Sequence, residues 1–146
     1  MYKTILVPLD GSDLAASILE HVVTLARGYG ARLLLLTVGQ PQPVALPPSG
    51  DLQLTLTFQA EDYVDRVRAS LAAQGLEVIT TVRIGEPDSE ILEVAQRHQV
   101  DLIIINSRGG EGALSPFFGS VAAKVAGAFP IPVLVFHAPR VPEGVE

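Results

Sequence analysis

The stretch Asn106 to Ser120, NSRGGEGALSPFFGS, concentrates groups that can meet an anion. It sits between a strand-like run and a helix-like run. Its backbone N–H groups and the following helix N-terminus can therefore converge on negative charge. Glycines at 109, 110, 112 and 119 let the chain turn tightly and approach a ligand without obstruction. Arg108 adds a guanidinium suited to clamping phosphate. Ser115-Pro116 has the pattern of a helix N-cap followed by a first-turn proline. Gly119 then interrupts that turn, and Ser120 either caps the longer helix or donates its hydroxyl to a phosphate. A second candidate is Asp10, which ends an apolar run and opens Asp10-Gly11-Ser12. Taken alone, that tripeptide is better explained as a turn or a helix cap.

Other chemistries leave no comparable trace. His21, His98 and His137 are scattered and lack metal-ligand spacing. Glu61-Asp62 and the pair Glu90 and Glu93 fall at spacings expected of solvent-facing helical surfaces, not of an acid/base dyad. Neither a Gly-x4-Gly-Lys-Ser/Thr loop nor a Gly-x-Ser-x-Gly elbow occurs. Gly110-Glu111-Gly112 runs on to Ser115 where a dinucleotide fingerprint needs glycine, and it follows a late strand instead of the first.

The elements around these residues alternate. Thr4 to Leu9 reads as a buried strand; Leu14, Ile18, Val22 and Leu25 then recur at helical spacing up to Gly28 and Gly30. Arg32 to Val38 is a second strand, its unbroken leucines requiring burial on both faces. Gln40 to Gly50 carries four prolines and is a loop. Leu52, Leu54, Leu56 and Phe58 alternate like a strand, but Ala60, Tyr63, Val64, Val67 and Leu71 continue at helical spacing. The segment is read as one helix with an irregular first turn. Glu77 to Ile84 is a third strand, Val100 to Ile105 a fourth and Ile131 to Phe136 a fifth. A short helix holding Ile91, Leu92, Val94 and Ala95 precedes the fourth, and one holding Val121, Ala122 and Val125 precedes the fifth.

Strands separated by helices, without hairpin signals, predict a single open, doubly wound parallel five-stranded α/β sheet with helices on both faces. Ligands bind such sheets beyond the strand carboxyl ends, where the strand order reverses. That rule points to the chain after Leu9, after Val38 and after Ile105.

Composition agrees. The chain has 146 residues, 48% of them hydrophobic but only 5% aromatic, so its core is aliphatic. There is no cysteine, which removes disulfides and thiolate chemistry. A formal charge of −6 repels nucleic-acid backbones, and no membrane-length apolar run occurs. The first residues pass directly into a strand pattern, which leaves no signal peptide and gives a cytoplasmic reading. One domain over residues 1–138 and a flexible tail over 139–146 are expected.

These motifs resemble those of the universal stress protein family, whose nucleotide-binding members carry Gly-x2-Gly-x9-Gly-Ser/Thr. Gly109, Gly119 and Ser120 reproduce the second half of that pattern, and Asn106 stands at its first glycine. Val121-Ala122-Ala123-Lys124-Val125, Pro130 to Val135 and the opening Ile5 to Ser12 extend the likeness. The resemblance implies an adenine nucleotide alpha hydrolase-like fold that binds ATP. Pro8, Leu9 and Asp10 would lie beside the adenosine, with the Asp10 carboxylate accepting from ribose hydroxyls. Val38 would contact the adenine edge through its backbone. Ile105, Asn106, Ser107, Arg108 and Gly109 would wrap sugar and phosphates, and Gly119, Ser120 and Val121 would complete the cradle. Asparagine tolerates a positive φ, so it can keep the glycine-like backbone shape; its side chain then either obstructs the sugar-phosphate or bonds to it.

The implied role is regulation or stress response, with slow hydrolysis at most and no assigned catalytic residue. Mg²⁺ can accompany ATP, although no carboxylate is placed to hold it. The implied assembly is a homodimer through the last strand, Ile131 to Phe136. The alternative is a nucleotide-free dimeric interaction module on the same fold.

Overall fold

The computed structural model describes residues 2–9, 15–39, 51–106 and 118–136. Its elements alternate as β1 (Thr4–Leu9), α1 (Ala15–Tyr29), β2 (Arg32–Gly39), α2 (Asp51–Ala72) and β3 (Val78–Ile84). Then come α3 (Pro87–Arg97), β4 (Leu102–Asn106), α4 (Phe118–Ala128) and β5 (Val133–Phe136). All pairings are parallel, in the order β3-β2-β1-β4-β5. The chain thus builds outward from β1 to β3, then returns to add β4 and β5 on the other side. The expected doubly wound sheet is present, and its order reverses between β1 and β4.

Side-chain alternation divides the core into two layers. On one face Ile5, Val7, Leu9, Leu33, Leu35 and Ile104 pack with α1 and α2 residues such as Val22 and Val64. On the other, Leu6, Leu34, Leu36, Val38, Ile103 and Ile105 pack with Ile91 and Val94 of α3 and with Val121 and Val125 of α4. Burial of both faces explains the unbroken leucine run of β2.

Several boundaries differ from the sequence reading. Val100 is buried but lies outside β4, because its N–H donates to Ala95 C=O and closes α3, with Gln99 at φ 51°. Asp101 then accepts the Lys3 and Thr4 N–H groups at 2.8 and 3.0 Å, aligning β4 with β1 before pairing begins. β4 runs one residue further than expected, to Asn106, and β5 starts only at Val133. The alternating leucines near residue 52 belong to a regular helix from Asp51, without an irregular first turn. Burial of Val64 and Leu71 on the α1/α2 face outweighs the local strand pattern there. The expected tail lies outside the described residues.

Candidate functional site

Pro8 shapes the carboxyl end of the sheet. Along β1, Thr4 and Leu6 address β4, while Lys3 and Ile5 address β2, where Arg32 N–H donates to Lys3 C=O. Pro8 shares the parity of Leu6 and faces β4, with no N–H to give. The β1–β4 register ends at Leu6 opposite Ile103, whereas β1–β2 continues to Leu9 opposite Thr37. The next rung would need a Pro8 donor for Ile104 C=O. Regular tying of β1 to β4 therefore stops at the switch point, the position where this sheet type accepts a ligand.

Around that opening stand the ends of three strands. Leu9 and Ile105 are buried and give their side chains to opposite core layers, so each offers only backbone to a ligand. Val38 packs on the α3/α4 face. Asn106 is extended, paired with Phe136, and 6% exposed. Gln99 is the positive-φ non-glycine residue among those described, so the left-handed backbone expected at Asn106 is not found. Continuing β4 from Leu102 and Ile104 puts Asn106 on the α1/α2 face.

Helix α4 begins at Phe118 and runs through Gly119 and Ser120. Gly119 therefore does not break the helix, and Ser120 lies inside its first turn instead of capping it. This corrects the sequence reading and leaves the first-turn N–H groups as donors at the helix N-terminus. Val121 buries its side chain in the core, so only its N–H can reach an anion. Asp10, Ser107, Arg108 and Gly109, with the Ser115-Pro116 cap, fall outside the described residues.

Two features near this edge escaped the sequence reading. Thr37, the lone hydroxyl in RLLLLTV, is 0% exposed, and its Oγ1 has no hydrogen-bond partner among the described residues. Glu90 and Glu93 are not simply solvent-facing, because both bind Arg83 of β3. Arg83 Nε meets Glu90 Oε2 at 3.0 Å, Arg83 Nη2 meets Glu93 Oε1 at 2.9 Å, and Arg97 joins Glu93 at 3.2 Å. The hydrogen bond and charge of Glu90 hold the Arg83 guanidinium above its ordinary pKa. A lone arginine in a β-rich run, followed by glutamates three apart on a helix, is the signal that could have revealed this cluster.

At the opposite, amino edge, Lys3, Arg32, Glu77, His98 and Asp101 line a cleft of about 420 Å³. Asp101 there serves the β1 backbone, and Arg32 Nε donates to Thr4 Oγ1. No metal-binding group of acidic, histidine or cysteine side chains occurs among the described residues. No helix among them is long and apolar enough to cross a membrane.

Comparison with known proteins agrees with this architecture. Residues 1–137 match the model of the universal stress protein family. A curated universal stress protein of Methanocaldococcus jannaschii is 30% identical over 144 residues, covering 96% of this chain and 85% of that one. The solved structure of a second protein from that organism superposes with a TM-score of 0.81 at 28% identity, covering 96% and 99% of the two chains. A universal stress protein from Archaeoglobus fulgidus, solved in complex with dAMP, shares the fold with a TM-score of 0.66 at 22% identity, covering 92% and 97%.

Proposed function

The chain belongs to the universal stress protein family, and on that premise we propose that it binds an adenine nucleotide, ATP, at the β1/β4 switch point. The observation that carries this reading is the end of the β1–β4 ladder at Pro8, beside the end of β2 and the start of α4. Its chemistry suits a nucleotide. The first turn of α4 offers N–H groups to phosphates at the positive end of a helix dipole. Val38 offers a backbone acceptor for an adenine amino group. In this reading Asp10 accepts from the ribose hydroxyls, while Ser107, Arg108 and Gly109 meet the phosphates with Gly119 and Ser120. The dAMP complex of the Archaeoglobus fulgidus relative lends support through the shared fold.

The role is that of a nucleotide-responsive regulator or stress-response protein. Binding is accompanied by slow hydrolysis at most, and Mg²⁺ arrives with the nucleotide. Acid extraction of purified protein, followed by identification of released nucleotide, is the direct test, with calorimetry on Asp10→Ala beside it. Loss of one charged hydrogen bond lowers affinity by about 1.5–3 kcal/mol. No adenine nucleotide in the extract and none bound in titration would remove this reading.

A second reading rests on β5, an edge strand with Leu134 38% exposed. An apolar edge invites pairing with another copy. A homodimer through β5 fits either function, and a nucleotide-free dimer would make the chain an interaction module.

A further inference from the structure

Alternate residues of β2 address opposite neighbours. Arg32 N–H donates to Lys3 C=O beside β1, and Leu33 N–H donates to Glu77 C=O beside β3. Val38 accordingly addresses β1 and Gly39 addresses β3. In the register that ends at Leu9 opposite Thr37, Val38 N–H donates to Leu9. Among the described residues, Val38 C=O then lies past the last β1–β2 rung, turned toward the end of β1. The next residue is fixed from the other side, where Gly85 N–H donates to Gly39 C=O at 2.9 Å.

Gly85 is itself locked. Its φ is 155°, a conformation that L side chains rarely adopt, and an added Cβ would stand 2.7 Å from Glu90 Oε1. Glu90 occupies that space while its Oε2 accepts from Arg83. Arg83 lies opposite Val38 in the β2–β3 register, and Glu93 holds its other end. The ion pair, the glycine and the end of β2 thus form one connected unit.

We infer that Arg83, Glu90 and Gly85 are positioning residues for base selection, holding the end of β2 so that Val38 C=O meets the incoming base at a fixed angle. This rests on the nucleotide reading above. A carbonyl acceptor there matches adenine, which presents an amino donor, and rejects guanine, which presents a carbonyl at the same place. The ligand selected is a 6-amino purine nucleotide. Glu90 touches no ligand in this account and works through the turn after β3.

The test is titration of ATP and GTP into wild type, Glu90→Ala, Glu90→Gln and Gly85→Ala, with amide exchange followed at Gly85. Asp62→Asn, which breaks an exposed helical pair with Arg66, is the control. Glu90→Gln retains a neutral acceptor and nearly the same volume, so it is the mildest variant. Glu90→Ala and Gly85→Ala should lower ATP affinity about five-fold or more, roughly one hydrogen bond, with GTP affinity unchanged. Glu90→Gln should recover part of the loss, and Gly85 N–H should exchange faster in Glu90→Ala without ligand. A merely structural role would lower both nucleotides equally. That result, unchanged ATP affinity, or a wild type that binds ATP and GTP alike would overturn the inference and leave nucleotide binding standing. A wild type that binds neither would overturn both.

Discussion

Asn106 stands opposite Phe136 on the last rung of the β4–β5 ladder, and the Phe136 ring stacks on His21 of α1 with centroids 4.5 Å apart. That rung ties the end of β4, the sheet edge and α1 into one contact. Asn106 is the buried polar member of the group, at the position matched in the sequence reading to the first glycine of the motif. Its backbone is extended, so the side chain has replaced a hydrogen in a strand, not in a turn of left-handed chain.

Asn106→Gly is therefore expected to destabilise the protein and not to improve its site. Glycine in a strand costs about 0.5–1 kcal/mol of backbone entropy, and losing a buried polar side chain adds about 1 kcal/mol. The midpoint of thermal unfolding should fall by several degrees. The side chain lies on the α1/α2 face, so ATP affinity should not rise. Tighter binding in the glycine variant would show that asparagine obstructs the ligand after all.

Thr37 offers the opposite case. Its hydroxyl is wholly buried without a partner among the described residues, which costs about 1–3 kcal/mol of desolvation. Thr37→Val keeps the branched shape that the strand accommodates and removes the orphaned oxygen. A gain of about 1 kcal/mol in urea unfolding is expected, at unchanged m-value. A loss of that size would mean the hydroxyl is satisfied by water or ligand in solution.

These residues mark how far the sequence could be read. The leucine run before Thr37, the helical spacing from Tyr63 to Leu71 and the turn at Gly85 report the fold directly, because burial periodicity is local information. Pro8 was assigned a place beside the adenosine, yet its effect on β4 depends on which neighbour its missing donor faces. That is set by strand order, and strand order is not written in any single segment. Arg83 and Glu90 meet only because the turn at Gly85 brings the start of α3 back beside the end of β3. Asn106 was misjudged in conformation because motif position suggested a turn, while pairing with Phe136 extends the strand by one residue.

Pro8→Ala tests the opening between β1 and β4. Alanine restores an N–H that faces Ile104 C=O, so the ladder can gain a rung. The added bond, worth about 0.5–1.5 kcal/mol, is offset by the greater freedom of the unfolded chain, about 0.4–1 kcal/mol. Overall stability should change little. The residue 8 amide should become protected from hydrogen exchange, and ATP affinity should fall as the two strands are tied together. An amide that exchanges freely would show that β1 and β4 diverge for a reason other than proline.

The β5 edge gives the last prediction. Ile103 N–H donates to Pro132 C=O, so Pro132, Leu134 and Phe136 address β4, while Val133 and Val135 address the outer edge of the sheet. The donor missing at Pro132 is thus on the inner side, and the outer edge keeps its N–H groups. By this parity Pro132 leaves the free edge intact. Val135→Pro removes an outward N–H and disturbs no β4 bond, whereas Leu134→Pro would break one. Sedimentation at micromolar concentration should show wild type as a dimer and Val135→Pro as a folded monomer. Leu134→Arg, which puts charge on the exposed apolar side chain of the same edge, should have the same effect. A monomeric wild type, or a Val135→Pro protein that stays dimeric with native circular dichroism, would exclude β5 as the interface.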